Sequence, residues 1–270
     1  MKKSVLLGTG ILATVLLTGC GGSSSGGGTS VTEYSLSDYE GRTVSSDTLA
    51  GTWVAVGTGS ATYEVEEGSA LSKWAVKEYF VIKEGASDPD KASCHAGFIS
   101  TDIVGDQITV ENFSGTVSGN TIISGAESEN EGKIVTNLSI VKISDSVEAL
   151  GTITVNVAGL GSLSQGLYCF QQKNEVGEVN GSYYGASEEY QLSASAGDDV
   201  FLQKVSGTVS SKDVSVYSSA FVGEFLTKDG ASANFTVNSS TDLTESISFD
   251  ASSTSGASVT GTVQVQLPAQ

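Results

Sequence analysis

Histidine, cysteine and basic residues are scarce in this chain, and each shortage excludes a class of function. The 270 residues include one histidine, three cysteines and 13 lysines and arginines, against 31 aspartates and glutamates. A histidine-based catalytic site would have to use His95, which adjoins Cys94, and a zinc site would lack ligands. The formal charge of −18 repels phosphate backbones. We therefore expect no metal or other cofactor, no catalytic residues and no nucleic-acid partner.

Strong helix-forming runs are also missing after the N-terminal segment, whereas Gly, Ser, Thr and Val dominate the chain. This composition favours strands and turns. From Gly51 onward, apolar and polar residues alternate with the period of a half-buried strand. The sequence therefore predicts an all-β fold. The predicted strands are 52–57, 61–66, 73–83, 97–103, 107–113, 121–124, 133–142, 150–157, 166–171, 182–193, 200–205, 213–222, 231–238, 243–250 and 258–267.

One stretch of the sequence repeats 92 residues later. The segment SGTVS occurs at 114–118 and again at 206–210, and each copy follows a Gly-Asp pair at the same distance. The repeat predicts two related antiparallel β units, each a barrel or a sandwich. The polar segment 173–180 is the predicted boundary, so that 51–172 form a first domain and 181–270 a second, smaller one. Chance convergence of strands rich in Ser, Thr and Gly is the alternative.

The N-terminus has the layout of a secretory signal. Lys2 and Lys3 precede an apolar run at 5–17, which is too short to span a hydrocarbon core of roughly 30 Å comfortably. The run ends in Leu17-Thr18-Gly19-Cys20, which resembles the lipobox of bacterial lipoproteins. The sequence thus predicts a signal peptide at 1–19. An ordinary signal peptide that ends near a chance cysteine is the alternative.

The lipoprotein resemblance implies where the mature chain is held. It implies that Cys20 carries acyl chains such as palmitate, which anchor the chain in a membrane. In Gram-negative lipoproteins an aspartate after this cysteine favours the inner membrane, whereas this chain has Gly21. The implied location is the outer membrane, on its periplasmic or surface side. Residues 20–50 comprise the lipidated cysteine, a flexible Gly/Ser linker at 21–30 and a lead-in segment.

Lipidation of Cys20 leaves two cysteines, Cys94 and Cys169. In an oxidising envelope compartment these two are expected to form a disulfide. In the chain-entropy model an unstrained bond over this separation stabilises the fold by roughly 4 kcal/mol.

The tripeptide Gly51-Thr52-Trp53 opens the first predicted strand and resembles the G-x-W start of lipocalins. Lipocalins are up-and-down barrels that bind small apolar molecules. The resemblance implies a cavity in the first unit, whose candidate ligand contacts are Trp53, Trp74, Tyr79 and Phe80. The chain departs from the family because it lacks a T-D-Y motif, a late arginine and a C-terminal helix. A core role for Trp53 is the alternative.

These observations together predict a membrane-anchored envelope lipoprotein that is not an enzyme. Its predicted role is structural, or it consists in binding a protein or a glycan. A lipocalin-like binder of a small apolar ligand is the first alternative. A glycosidase that uses paired carboxylates is the second, because 31 acidic residues offer many pairs.

Overall fold

The fold is all-β, as the sequence predicts. The computed structural model describes residues 30–39, 42, 44, 50–65, 68–83, 101–104, 107–110, 113–116, 121–125, 128–130, 133–159, 161–180, 182–195, 198–207, 211–217, 224–226, 233–240, 244–252 and 256–267. In these residues a 3₁₀ turn at Ser37–Tyr39 precedes the strands. The strands are β1 (Gly51–Val65), β2 (Gly68–Ile82), β3 (Thr101–Val104), β4 (Gln107–Val110), β5 (Phe113–Thr116), β6 (Thr121–Gly125), β7 (Ser128–Asn130), β8 (Lys133–Ser144), β9 (Gly151–Val157), β10 (Gly161–Leu167), β11 (Cys169–Val179), β12 (Ser182–Ser195), β13 (Asp198–Gly207), β14 (Ser211–Tyr217), β15 (Glu224–Leu226), β16 (Ala233–Ser240), β17 (Thr244–Ser252) and β18 (Ser258–Gln266).

The strands form three antiparallel sheets. The large sheet has ten strands in the order β15-β14-β13-β12-β11-β2-β1-β8-β6, and β7 also pairs with β8. The five-stranded sheet has the order β10-β9-β18-β17-β16. A three-stranded sheet has the order β3-β4-β5.

The large sheet and the five-stranded sheet share one hydrophobic core. Side chains alternate between the two faces of a strand, and in β9 and β18 alternate residues are buried. One buried cluster joins Val54, Phe170 and Leu202 of the large sheet to Ile153 and Val263 of the five-stranded sheet. Each of these five side chains is at most 2% exposed. Burial of each one stabilises the fold by roughly 1.5–3 kcal/mol.

In the long hairpin β1–β2, the single strand β1 takes the place of two predicted strands, 52–57 and 61–66. The sequence predicts a break around Thr58, Gly59 and Ser60, but β1 runs unbroken through them because β2 pairs with β1 along its whole length. On the other side of β1, the register with β8 shifts between Thr58 and Gly59. This irregularity lies within the residues where the sequence pattern predicts a break between strands.

Both sheets combine strands from the two sides of the predicted domain boundary. The predicted linker 173–180 lies mostly within β11, and Asn180, with φ of 50°, makes the turn to β12. In the five-stranded sheet, β9 of the predicted first domain pairs with β18 of the second. The polar pattern at 173–180 therefore does not separate two hydrogen-bonded units. Its charged side chains pair with neighbouring strands instead of lying in a linker.

The two copies of the repeat adopt different structures. In the first copy, residues 107–110 and 113–116 form the paired strands β4 and β5 of the three-stranded sheet. The matching residues 199–207 lie in one continuous strand, β13, inside the large sheet. Alternating Ser, Thr and apolar residues specify a strand but not its partner, so similar segments have joined different sheets.

Gly261 of β18 faces the core at a point where there is no room for a side chain. It lies opposite Phe249 of β17, and a Cβ atom on Gly261 would approach Phe249 Cζ to 2.1 Å. The Phe249 ring is itself only 4% exposed. The glycine therefore provides the space that the ring occupies.

We predict that Gly261→Ala destabilises the fold by about 1–3 kcal/mol, because the Phe249 ring must leave its packed position. Urea unfolding followed by tryptophan fluorescence measures the change. The control is Thr262→Val, a change at the next position, where the side chain is exposed and the expected effect is within about 0.5 kcal/mol. Equal stability of the Gly261 variant and the unmodified protein would contradict this account of the packing.

Candidate functional site

The lead-in segment folds back onto the large sheet before β1 begins. Asn174 of β11 accepts a hydrogen bond from Thr32 N and donates one to Thr32 O, each at 2.9 Å. Further along, the Tyr39 ring packs edge-on against Tyr79 of β2, with 6.1 Å between the ring centroids. These contacts hold Thr32 and Tyr39 of the segment against the sheet.

A small pocket lies between this segment, strands β2 and β11, and the ends of β17 and β18. Its volume is about 160 Å³. Pockets for drug-sized ligands occupy roughly 300–1,000 Å³, so this one is limited to a small molecule. Most of the side chains that line it carry a polar group. The main contributors are Ser35, Asp38, Tyr39, Lys77, Tyr79, Thr244 and Glu245.

The pocket places a cation, carboxylates and tyrosine hydroxyls close together. The hydroxyl oxygens of Tyr39 and Tyr79 are 2.5 Å apart. The Lys77 ammonium lies 5.2 Å from the ring centroid of Tyr34 and 5.4 Å from that of Tyr79, within cation–π range. Glu245 is 8% exposed. The pocket therefore offers donors and acceptors of both charge signs.

Burial and neighbouring oxygens favour the neutral form of the tyrosines in and beside the pocket. Burial raises the pKa of Tyr34 to about 12. Burial also raises the pKa of Tyr79, and the hydrogen bond to Tyr39 and the charge of Glu245 raise it further. In Tyr190 of β12, burial is again the main cause of a raised pKa, followed by the hydrogen bond to Glu188. These hydroxyls therefore remain protonated when exposed tyrosines ionise.

A row of aromatic rings extends from the pocket across the core. Tyr79 stacks on Phe170 at 6.3 Å, Phe170 contacts Tyr190 at 6.1 Å, and Tyr190 meets Phe235 edge-on at 5.7 Å. The row links β2, β11 and β12 of the large sheet to β16 of the other sheet. Such pairs add roughly 0.5–1.5 kcal/mol each beyond the area they bury. The wall of the pocket is thus part of the rigid core.

The opposite face of the large sheet carries a buried polar network. Gln171 Nε2 donates to Glu78 Oε2 at 2.9 Å, and Cys169 Sγ lies 3.3 Å from Glu78 Oε1. Lys173 Nζ contacts Glu175 at 2.5 Å and Glu189 at 3.5 Å. Pairing of this kind offsets the cost of removing charges from water.

The four candidate ligand contacts lie on two different faces. Trp53, Trp74 and Phe80 are at most 1% exposed and lie on the face that carries the polar network. Tyr79 points to the opposite face, where it lines the pocket. Alternation along β2 makes this separation unavoidable, because Tyr79 and Phe80 are consecutive residues. Trp53 pairs directly with Phe80 across β1 and β2, so its position is that of a core residue.

The three cysteines differ in what the structure says about them. Cys169 lies on β11 and is 2% exposed. Cys20 and Cys94 lie outside the described residues. Lipidation of Cys20 and the disulfide between Cys94 and Cys169 therefore stay predictions.

The sequence contained no signal for the charged residues of the pocket. Asp38, Lys77 and Glu245 come from the 3₁₀ turn, β2 and β17, which are far apart along the chain. The sequence pattern predicts that Lys77 is an exposed residue on the polar side of a strand. Only the packing of the two sheets and the lead-in segment brings these three residues together.

Within the described ranges, no group of three His, Cys, Asp or Glu residues is arranged to hold a metal ion. In the same part of the chain, no helix has the length and apolar character needed to cross a membrane. Comparison with protein-family models, curated proteins and solved structures found no match.

We predict that stability falls as the pH rises above about 10, the usual pKa of tyrosine. The native state holds the protons of Tyr34, Tyr79 and Tyr190 more tightly than the unfolded chain does. Their contribution is therefore complete below about pH 10 and is lost as the pH rises toward the native pKa values. Urea midpoints measured between about pH 8 and 11.5 report the loss.

Tyr79→Phe should make this alkaline fall less steep, since it removes one ionisable hydroxyl. Tyr183→Phe, at a half-exposed position on β12, is the matched control and should leave the slope as it is. An identical slope for the Tyr79 variant and the unmodified protein would count against a raised pKa of Tyr79 in the native state.

Proposed function

We propose that the protein is an outer-membrane lipoprotein, anchored through acyl chains on Cys20, whose β fold acts as a non-enzymatic interaction module. Its partners are glycans or proteins of the envelope. The lipobox-like residues 17–20 and the Gly/Ser linker support the anchor.

Docking of the lead-in segment is the observation that carries this proposal. The Gly/Ser composition of 21–30 predicts a linker with an r.m.s. reach of about 17 Å. Directly after it, Thr32 is held by two hydrogen bonds to Asn174, and Tyr39 is packed on Tyr79. The predicted tether is therefore followed directly by residues that are held on the folded body. This arrangement suits a module that is held close to a membrane and meets its partners there.

The filled interior supports an interaction module over a lipocalin-like carrier. Val54, Leu202, Ile153 and Val263 are fully buried against one another between the two sheets. The tryptophans expected to line a ligand cavity are also buried, at 0% for Trp53 and 1% for Trp74. Contacts with a large partner would therefore be made by the outer surface.

Replacement of the acylated cysteine tests the anchor. We expect Cys20→Ser to abolish incorporation of labelled palmitate and to move most of the protein from the outer-membrane fraction to the soluble fraction, because stable anchoring needs the acyl chains. Density-gradient fractionation with immunodetection measures the distribution. Ser23→Ala, three residues away in the linker, is the control and should fractionate like the unmodified protein. Membrane retention of the Cys20 variant at the unmodified level would refute the anchor.

The pocket supports a second candidate function, the binding of a small polar molecule. Lys77 suits a carboxylate, and Glu245 and Asp38 suit an ammonium group. The tyrosine rings of Tyr39 and Tyr79 also favour a cation near their faces. The ligand class that fits these groups and a volume of about 160 Å³ is a zwitterion of amino-acid size.

Isothermal titration with single amino acids tests the second candidate. We expect Glu245→Gln to weaken binding about tenfold or more, since it removes the charge that faces the ammonium group. Asp250→Asn, a charge loss on the exposed face of the same strand, should leave the affinity unchanged. Absence of heat with every amino acid would exclude this ligand class. Turnover of glycoside or ester substrates would contradict the non-enzymatic function.

A further inference from the structure

The outer face of the five-stranded sheet is an ordered array of hydroxyl and amide groups. We call it the polar face. Its residues are exposed or half-exposed and alternate along the five strands with the buried core residues. The polar face consists of Thr152, Thr154, Asn156, Ser162, Ser164, Asn234, Thr236, Asn238, Ser246, Ser248, Asp250, Thr260, Thr262 and Gln264.

One row of the polar face carries a hydroxyl group on every strand. Strand pairing sets Ser164 beside Thr154, Thr154 beside Thr262, Thr262 beside Ser248, and Ser248 beside Thr236. Neighbouring strands are about 4.8 Å apart, so the row extends over roughly 19 Å. A row of two amides, a hydroxyl and the Asp250 carboxylate runs beside it, because Asn156 pairs with Thr260 and Asp250 with Asn234.

Hydrogen bonds between the side chains hold the array in place. Gln264 Nε2 donates to Ser246 Oγ at 2.7 Å, and Asn238 Nδ2 donates to Ser248 Oγ at 3.2 Å. The hydroxyl oxygens of Thr154 and Ser164 are 3.4 Å apart. Thr side chains are also stiff because they branch at Cβ. A partner that binds here therefore loses little energy in ordering the protein's side chains.

Charge and apolar surface are nearly absent from the polar face. Asp250 carries the only formal charge among its residues, although the chain as a whole has a formal charge of −18. None of its residues is apolar, so the face does not suit a lipid surface or an apolar protein interface. The polar face itself contains no basic residue, and the nearby Lys212 ammonium of β14 lies 3.4 Å from Asn234 Oδ1 at its β16 edge. The face therefore offers only a weak attraction to an acidic polymer. The remaining match is a neutral partner rich in hydroxyl groups.

We propose that the polar face binds a neutral polysaccharide. This inference rests on the proposed function, an envelope interaction module, and names both the surface and the class of its partner. Ser and Thr hydroxyls donate and accept hydrogen bonds, and Asn and Gln amides do the same, as sugar hydroxyls also do. The array presents these groups at the regular spacing of paired strands to an extended chain. Many weak contacts along one polymer then add up to a usable affinity.

Polysaccharide binding by the full chain in detergent tests the proposal. The probes are insoluble cellulose and chitin, which are neutral, and alginate coupled to beads, which is acidic. We expect retention on a neutral polymer and none on alginate. The double variant Thr154→Val with Thr262→Val removes two hydroxyls of the row and keeps the side-chain shape. Its apparent affinity should fall about tenfold or more, because the valines leave sugar hydroxyls unpaired.

A matched control separates loss of binding from loss of folding. Thr62→Val makes the same chemical change at an exposed position of β1, outside the polar face, and should bind within about twofold of the unmodified protein. Thermal unfolding of the double variant should match that of the control. If the double variant has a lower melting temperature than the control, the single variant Thr262→Val is tested instead. Its affinity for the neutral polymer is also expected to fall.

Four results would overturn the inference. The first is no retention on either neutral polymer, and the second is equal retention of the double variant and the unmodified protein. The third is retention on alginate alone. The fourth is self-association through the polar face in place of polysaccharide binding. The anchor is tested separately, by the distribution of the Cys20→Ser variant between the membrane and soluble fractions. An anchored protein that binds no neutral polymer refutes this inference alone, and an unanchored protein that binds one refutes only the anchor.

Discussion

Pairing of β11 with β2 holds the two halves of the large sheet together. Residues 169–179 pair along their whole length with residues 70–80 of β2, and β12 pairs with the other edge of β11. Without β11, strands β12–β15 would have no connection to β1 and β2 within the sheet. The same strand supplies Phe170 to the aromatic row and Asn174 to the lead-in segment. Fold and pocket thus depend on one antiparallel ladder.

Two-residue alternation gives this central strand two opposite roles. On the core side, Phe170 and Asn174 contact the aromatic row and the lead-in segment. On the other side, Gln171 pairs with Glu78 of β2 and Lys173 with Glu189 of β12, and Gln171 is only 4% exposed. Charged residues are tolerated in the middle of the sheet because each has a partner in the adjacent strand. Their replacement by unpaired groups would leave buried charge without compensation.

The proposed functions use surfaces of different chemistry. The pocket at Tyr39 and Tyr79 is small and carries both charge signs, which suits one small molecule. The polar face is broad and nearly free of charge, which suits a polymer. Both are fixed by the same core, because the residues behind each surface belong to one buried cluster. The lead-in segment connects that rigid body to the predicted lipid anchor.

The sequence alone determined the all-β class and the burial of alternate residues, since the period of two is a local property of each segment. It also predicts the signal and acylation site, which lie outside the described residues. Only the tertiary structure decided which strands pair, because backbone hydrogen bonds are the same for every residue and strands rich in Ser and Thr do not encode a partner. For that reason 173–180 became a strand instead of a linker. The sequence did not predict the pocket either, because Asp38, Lys77 and Glu245 come together only when three elements that are distant along the chain pack together.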